Sequence, residues 1–238
     1  METNHFNFWQ PVITSVGALL ASGVGGYLAH FFLIRRENTA SKRKVYENLF
    51  SPILFKIFGY YEYSSLFRRD LIADEIFEHW LEDIFFHTRN NLNFATPGIV
   101  SICESIESLK FVEDLKGSLK DERLLRLVEE LLNSALRLKL IDDKESKEVL
   151  EKYRALYFIW RIFTERYGTS GMEVMERLRM SLVMNHIEVK PKKYKKAYKF
   201  YSKNIYNNRK WEDTIPLTLQ KIGIKKEDRD TILNEFKD

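Results

Sequence analysis

A chain of 238 residues that is 45% hydrophobic, 14% aromatic and 30% charged has the composition of a folded domain and excludes intrinsic disorder. A single cysteine, Cys103, excludes both an internal disulfide framework and a Cys-rich zinc site. The net charge of +4 is unevenly held: from residue 189 onward 14 Lys and Arg face 7 Asp and Glu, a local +7, which leaves −3 on the preceding 188 residues.

Between Glu2 and Arg35 there is no Asp, Glu, Lys or Arg. A helix over 11–34, opened by Pro11 as a first-turn residue, would be about 36 Å long at 1.5 Å per residue, enough for a hydrocarbon core of about 30 Å. Residues 1–10 form a short tail with Phe6, Phe8 and Trp9 at the expected interface. The tail lacks the positive region of a cleaved signal peptide. Arg35, Arg36, Lys42, Arg43 and Lys44 lie in the basic connector 35–50. That flank predicts a single-pass protein of the inner membrane, with its N-terminus outside and the rest of the chain cytoplasmic.

Glycines weaken helices in water by about 1 kcal/mol each relative to alanine, yet this segment carries four. Gly17, Ala21, Gly25 and Ala29 recur in steps of four, with Ala18, Ser22 and Gly26 in a second row. Small residues on one face let two spans approach closely. The ridge predicts self-association into a homo-oligomer.

The remainder reads as all-α, with apolar residues at helical spacing and no alternating strand pattern. A helical domain is predicted over 51–188 and a basic, Tyr-rich helical subdomain over 189–238. Ser51 and Pro52 suggest a capped start, Asp70 opens a helix through Phe85, and Pro97 begins the next. Further helices are predicted over 121–140, 144–167 (ended by Gly168), 171–186, 191–207 and 226–236. The short connections are those of a bundle.

Three constellations carry possible chemistry. Glu75, His79, Asp83 and His87 stand four apart. His79 and Asp83 are candidate metal ligands only if another helix adds more; otherwise they form a solvated polar face. Arg179 and His186 resemble the R-x4-6-H signature of HEPN-type ribonucleases, although Met180 stands where that signature often has a polar residue. The resemblance implies an all-helical nuclease with His186 as base and Arg179 on phosphate charge.

Residues 189–211 hold Lys192, Lys193, Lys195, Lys196, Lys199 and Lys203 interleaved with Tyr194, Tyr198, Tyr201 and Tyr206, with no acid. Such a segment can lie on anionic lipid head groups, bind nucleic acid, or pack its tyrosines inward and leave its lysines in water. No phosphate-binding loop, dinucleotide fingerprint or nucleophile elbow is present, so no cofactor is called for.

The layout of short tail, span and helical domain resembles that of membrane-anchored effectors in bacterial antiphage and toxin systems. That resemblance implies a non-enzymatic protein that disrupts the membrane when an unknown protein or small-molecule signal arrives. The alternatives are an adaptor recruiting a protein partner to the membrane, and a tethered ribonuclease using Arg179 and His186.

Overall fold

The computed structural model describes residues 30–63, 79–114, 118–140, 143–180, 189–205 and 211–236. The chain divides into two compact units, Met1–Lys44 and Val45–Asp238. Every regular element among the described residues is helical, as the patterning predicts.

In the first unit, residues 30–44 are helical (α1) and exposed throughout. Phe31, Phe32, Leu33 and Ile34 stay in solvent contact, and Arg35 and Arg36 follow directly. Among the described residues no helix is long and apolar enough to cross a membrane. Residues 11–29 of the expected span, with the whole small-residue ridge, lie outside the described residues.

The second unit opens with a π-helical turn, Tyr46–Phe50, that buries Leu49 and Phe50. It leads into α2, Ser51–Tyr63. Ser51 is therefore not a helix cap: its φ of −52° and ψ of −44° are helical. The next described helix is α3, Trp80–Asn90. The expected start of that helix at Asp70 lies outside the described residues, as does Glu75.

Helix α4, Pro97–Ser108, starts as predicted. Thr96 Oγ1 accepts from the Ile99 amide, and Pro97 occupies a first-turn position where no N–H is needed. Helix α5, Leu119–Leu138, turns Leu124, Leu127, Val128, Leu131 and Leu132 inward at helical spacing. It ends at Lys139, which sits in the left-handed region at φ 54°.

Helix α6, Lys144–Tyr167, is the longest of the bundle. Asp143 caps it by accepting from the amides of Glu145 and Ser146, and Gly168 ends it at φ 66°. These caps hold the boundaries where the sequence places them. α5 and α6 make the most extensive helix pair. Trp160, Tyr157, Phe158 and Phe163 of α6 are fully buried, each burial contributing about 2–3 kcal/mol. Tyr60 of α2 stacks on Trp160, with ring centroids 5.4 Å apart. The Tyr157 hydroxyl donates to the Ile57 carbonyl at 2.6 Å.

After Gly168 the chain turns back into α7, Thr169–Met180. The two backbones nearly touch: a Cβ on Gly171 would lie 2.3 Å from the Phe163 carbonyl oxygen. Beyond residue 188 come a 3-10 turn, Pro191–Lys193, then α8, Tyr194–Asn204, α9, Trp211–Ile222, and α10, Lys226–Asn234. α9 is a helix the sequence reading did not place. Pro216 lies inside it, and an internal proline removes a helical N–H and usually marks a helix boundary. α8 and α9 pack side by side. Phe236, just past α10, stacks on Phe163 of α6 at 4.5 Å.

Candidate functional site

The built polar feature of the second unit is a cleft of about 740 Å³ walled by α4, α5, α6 and α8. Its floor comes from an unusual stretch of α6, RALYFIWR, residues 154–161. Two arginines bracket six residues that all belong to the core. Arg154 and Arg161 are themselves each only 6% exposed. Charges this deep need partners, because desolvating one costs several kcal/mol.

Arg161 has its partners. Its Nε donates to Glu129 Oε2 at 2.7 Å, and a terminal nitrogen donates to Glu165 Oε2 at 2.8 Å. Glu122 lies 3.9 Å away. Burial works against the Arg161 charge, and Glu129 and Glu165 more than offset it, raising its pKa above the ordinary guanidinium value.

Two tyrosines of α8 complete this network. Tyr194 donates its hydroxyl to Glu129 Oε1, and Tyr201 donates to Glu165 Oε2 at 3.1 Å. Burial, then the carboxylates beside them, raises both phenols well above their usual range. Both therefore act as neutral donors. Glu122 is raised too, first by burial and then by Glu165.

Arg154 is less well served. One terminal nitrogen donates to Asn133 Oδ1 at 3.3 Å, and the guanidinium lies 4.0 Å over the Tyr194 ring. Its Nε is buried without a hydrogen-bond partner among the described residues. Burial depresses its pKa, opposed by the nearby Tyr194, Glu151 and Glu129. A guanidinium nevertheless stays charged in proteins.

Around this floor the rim carries Arg126, Arg137, Lys139, Lys147 and Lys195. With Arg154 and Arg161 the cleft holds seven cations against three carboxylates, Glu129, Glu130 and Glu151, a surplus of +4. Glu129 is taken up by Arg161 and Tyr194, and Glu130 lies 3.5 Å from Arg137. Among the described residues Arg126, Lys139, Lys147, Arg154 and Lys195 make no salt bridge. A concave, positively biased wall concentrates anions. Tyr198, 39% exposed, leans on Phe158 and Tyr194 at 5.8 Å each and presents an open ring to the same cleft.

The metal-ligand candidates fall elsewhere, whereas Lys195 of the basic segment lines the cleft. His79 precedes α3 and lies 3.7 Å from Glu82, while Asp83 pairs with Lys56 of α2. His87 faces the Asn48 carbonyl at 3.0 Å. The stripe is thus divided among separate partners, and among the described residues no group of three or more His, Cys, Asp or Glu could hold a metal. Arg179 belongs to α7, but its side chain and all of His186 lie outside the described residues.

In the basic segment, Tyr194 and Tyr201 are buried, Tyr198 is partly exposed, and Lys192, Lys193, Lys195, Lys196, Lys199 and Lys203 all face water. The cleft was missed because its members come from four helices. The one local signal was the pair of arginines set in an otherwise apolar core run.

No protein-family model matches the chain, no curated protein matches its sequence and no solved structure matches its fold. The class is therefore defined by architecture alone: an all-helical bundle with a cationic cleft floored by buried arginines.

Proposed function

We propose that the chain is a single-pass membrane effector. Residues 11–34 span the inner membrane, the bundle faces the cytoplasm and receives an anionic signal in its cleft, and the Gly17, Ala21, Gly25 and Ala29 ridge drives self-association that breaches the bilayer. The anchor is supported by the uncharged stretch from 3 to 34 and by four exposed apolar residues, Phe31–Ile34, abutting Arg35 and Arg36. Exposed apolar clusters of this kind mark membrane or protein contacts. The observation that carries the signal-receiving role is Arg154, a buried cation with an unpartnered donor in a concave site of surplus positive charge.

The test is to reconstitute the full chain into dye-loaded anionic vesicles. Carbonate washing should leave it in the membrane, and dye should leak as protein density rises. Gly17, Gly25 and Gly26 changed together to Leu should reduce both oligomer size and leakage. Extraction by carbonate overturns the anchor. Sealed vesicles at every density overturn the effector role and leave an adaptor.

A further inference from the structure

We infer that the ligand of the cleft is a nucleoside polyphosphate. This inference rests on the reading of the cleft as the signal-receiving site. Three features select that class over a simple anion. The first is charge: a terminal phosphate carries about −1.5 to −2 at neutral pH, so one phosphate leaves part of the surplus of +4 unmatched, and a chain of two or three comes closer to it. The cations are also spread from the buried floor, Arg154, to an exposed rim, Arg126, Arg137, Lys139 and Lys147. An extended polyanion can engage both.

The second is the donor type. Arg154 offers a buried Nε with no acceptor among the described residues. A guanidinium matches the oxygens of phosphate in a fixed fork, which a lysine does not.

The third is the aromatic wall. One face of Tyr194 is already covered by Arg154 at 4.0 Å, whereas Tyr198 is 39% exposed at the edge of the same cleft. A planar base stacking on an open tyrosine ring is a sequence-tolerant contact. Ser101 and Glu151 in the lining add hydrogen-bonding groups to the cleft. The cleft volume, about 740 Å³, lies in the range that encloses a ligand of this size. Its concavity favours one small molecule over a polymer laid across the outward lysines of α8.

The backbone at the rim adds a separate sign. Lys139 holds φ at 54°, a conformation glycine adopts without strain and lysine does not. A lysine stands at a rim position where the backbone alone favours glycine.

The experiment is calorimetric titration of the full chain in detergent with ATP, GTP, tripolyphosphate and adenosine. ATP or GTP should bind at least tenfold tighter than tripolyphosphate or adenosine, about 1.4 kcal/mol. Tyr198→Ala should remove most of that margin. Arg126→Glu and Lys147→Glu, both at exposed positions, should each weaken the nucleotide about tenfold. Lys139→Gly should raise the unfolding midpoint while weakening the nucleotide about fivefold, opposite signs that a purely structural role does not produce. Equal affinity for nucleotide and tripolyphosphate overturns the nucleotide assignment and leaves an anion site. Binding of none of the four overturns the signal-receiving role of the cleft as well. Tighter binding of a single-stranded oligonucleotide than of either mononucleotide overturns the assignment in favour of nucleic acid.

Discussion

Replacing Glu129 by glutamine removes one charge from the floor of the cleft while keeping its size. Glu129 is 4% exposed and Arg161 6%, so water replaces little of what is lost. At an effective dielectric of about 20, two unit charges about 4 Å apart attract by about 4 kcal/mol. Removing one member of a buried pair typically costs about 3–5 kcal/mol. Here Arg161 keeps Glu165 at 2.8 Å and Glu122 at 3.9 Å, and the amide oxygen can still accept from one of its two donors. The expected loss is therefore about 2–3 kcal/mol. At about 2–4 °C per kcal/mol for a chain of this size, the unfolding midpoint should fall by about 4–12 °C. The assay is thermal unfolding of the full chain in detergent, followed by helical circular dichroism. A paired variant, Glu129→Gln with Arg161→Met, should recover part of the loss, because the Arg161 cation is then no longer buried short of its Glu129 partner. A Glu129→Gln midpoint within 2 °C of the parent, or a double variant worse than the sum of its parts, would refute the pairing as the source of stability.

Two further outcomes follow from the packing and the electrostatics. Gly→Ala inside a helix normally stabilises by about 0.5–1 kcal/mol, but Gly171→Ala should destabilise by about 1–3 kcal/mol because its Cβ would meet backbone at 2.3 Å; Gly98→Ala, whose Cβ would sit 3.5 Å from Glu130 Oε1, is the control expected not to destabilise. Glu122 has its carboxyl raised above the ordinary 4.5 by burial. Its contribution to stability is fully present below that ordinary value and is lost as pH rises through the folded-state value. Glu122→Gln should therefore be more stable than the parent at pH 7 and flatten the decline above pH 4.5; a variant less stable at pH 7 would contradict the direction.

The legible parts of the fold are those that local chemistry encodes. Thr96–Pro97 and Asp143 cap their helices, Gly168 takes a backbone shape closed to other residues, and the leucines of α5 repeat at 3.6-residue spacing. Where local signals mislead, a neighbour overrides them. Ser51–Pro52 looks like a helix start, yet a π-helical turn, Tyr46–Phe50, runs directly into α2. Pro216 looks like a break, yet α9 runs through it, with Ile215, Leu219 and Ile222 buried. The cleft was less legible still. Arg126, Arg154 and Tyr194 are remote in sequence, and only the packing of α5, α6 and α8 brings them to one place. The tyrosine spacing of α8 was visible, but not that two of its hydroxyls answer one buried carboxylate, Glu129, and one half-buried carboxylate, Glu165, while the third ring stays open.

Those two hydroxyls also fix the register of α8 along the bundle. Apolar contacts alone tolerate a slide of one turn, about 5.4 Å, since Tyr198 would then arrive where Tyr194 sits. The same slide brings Ile205 to the place of Tyr201, and Glu165 loses its donor. A slide the other way offers Lys190 and Ala197 to Glu129 and Glu165. Only one alignment gives both carboxylates a phenol. The spacing of Tyr194 and Tyr201 thus acts as a two-pin key, and the wall that α8 lends to the cleft is set in one position by bonds made beneath its floor.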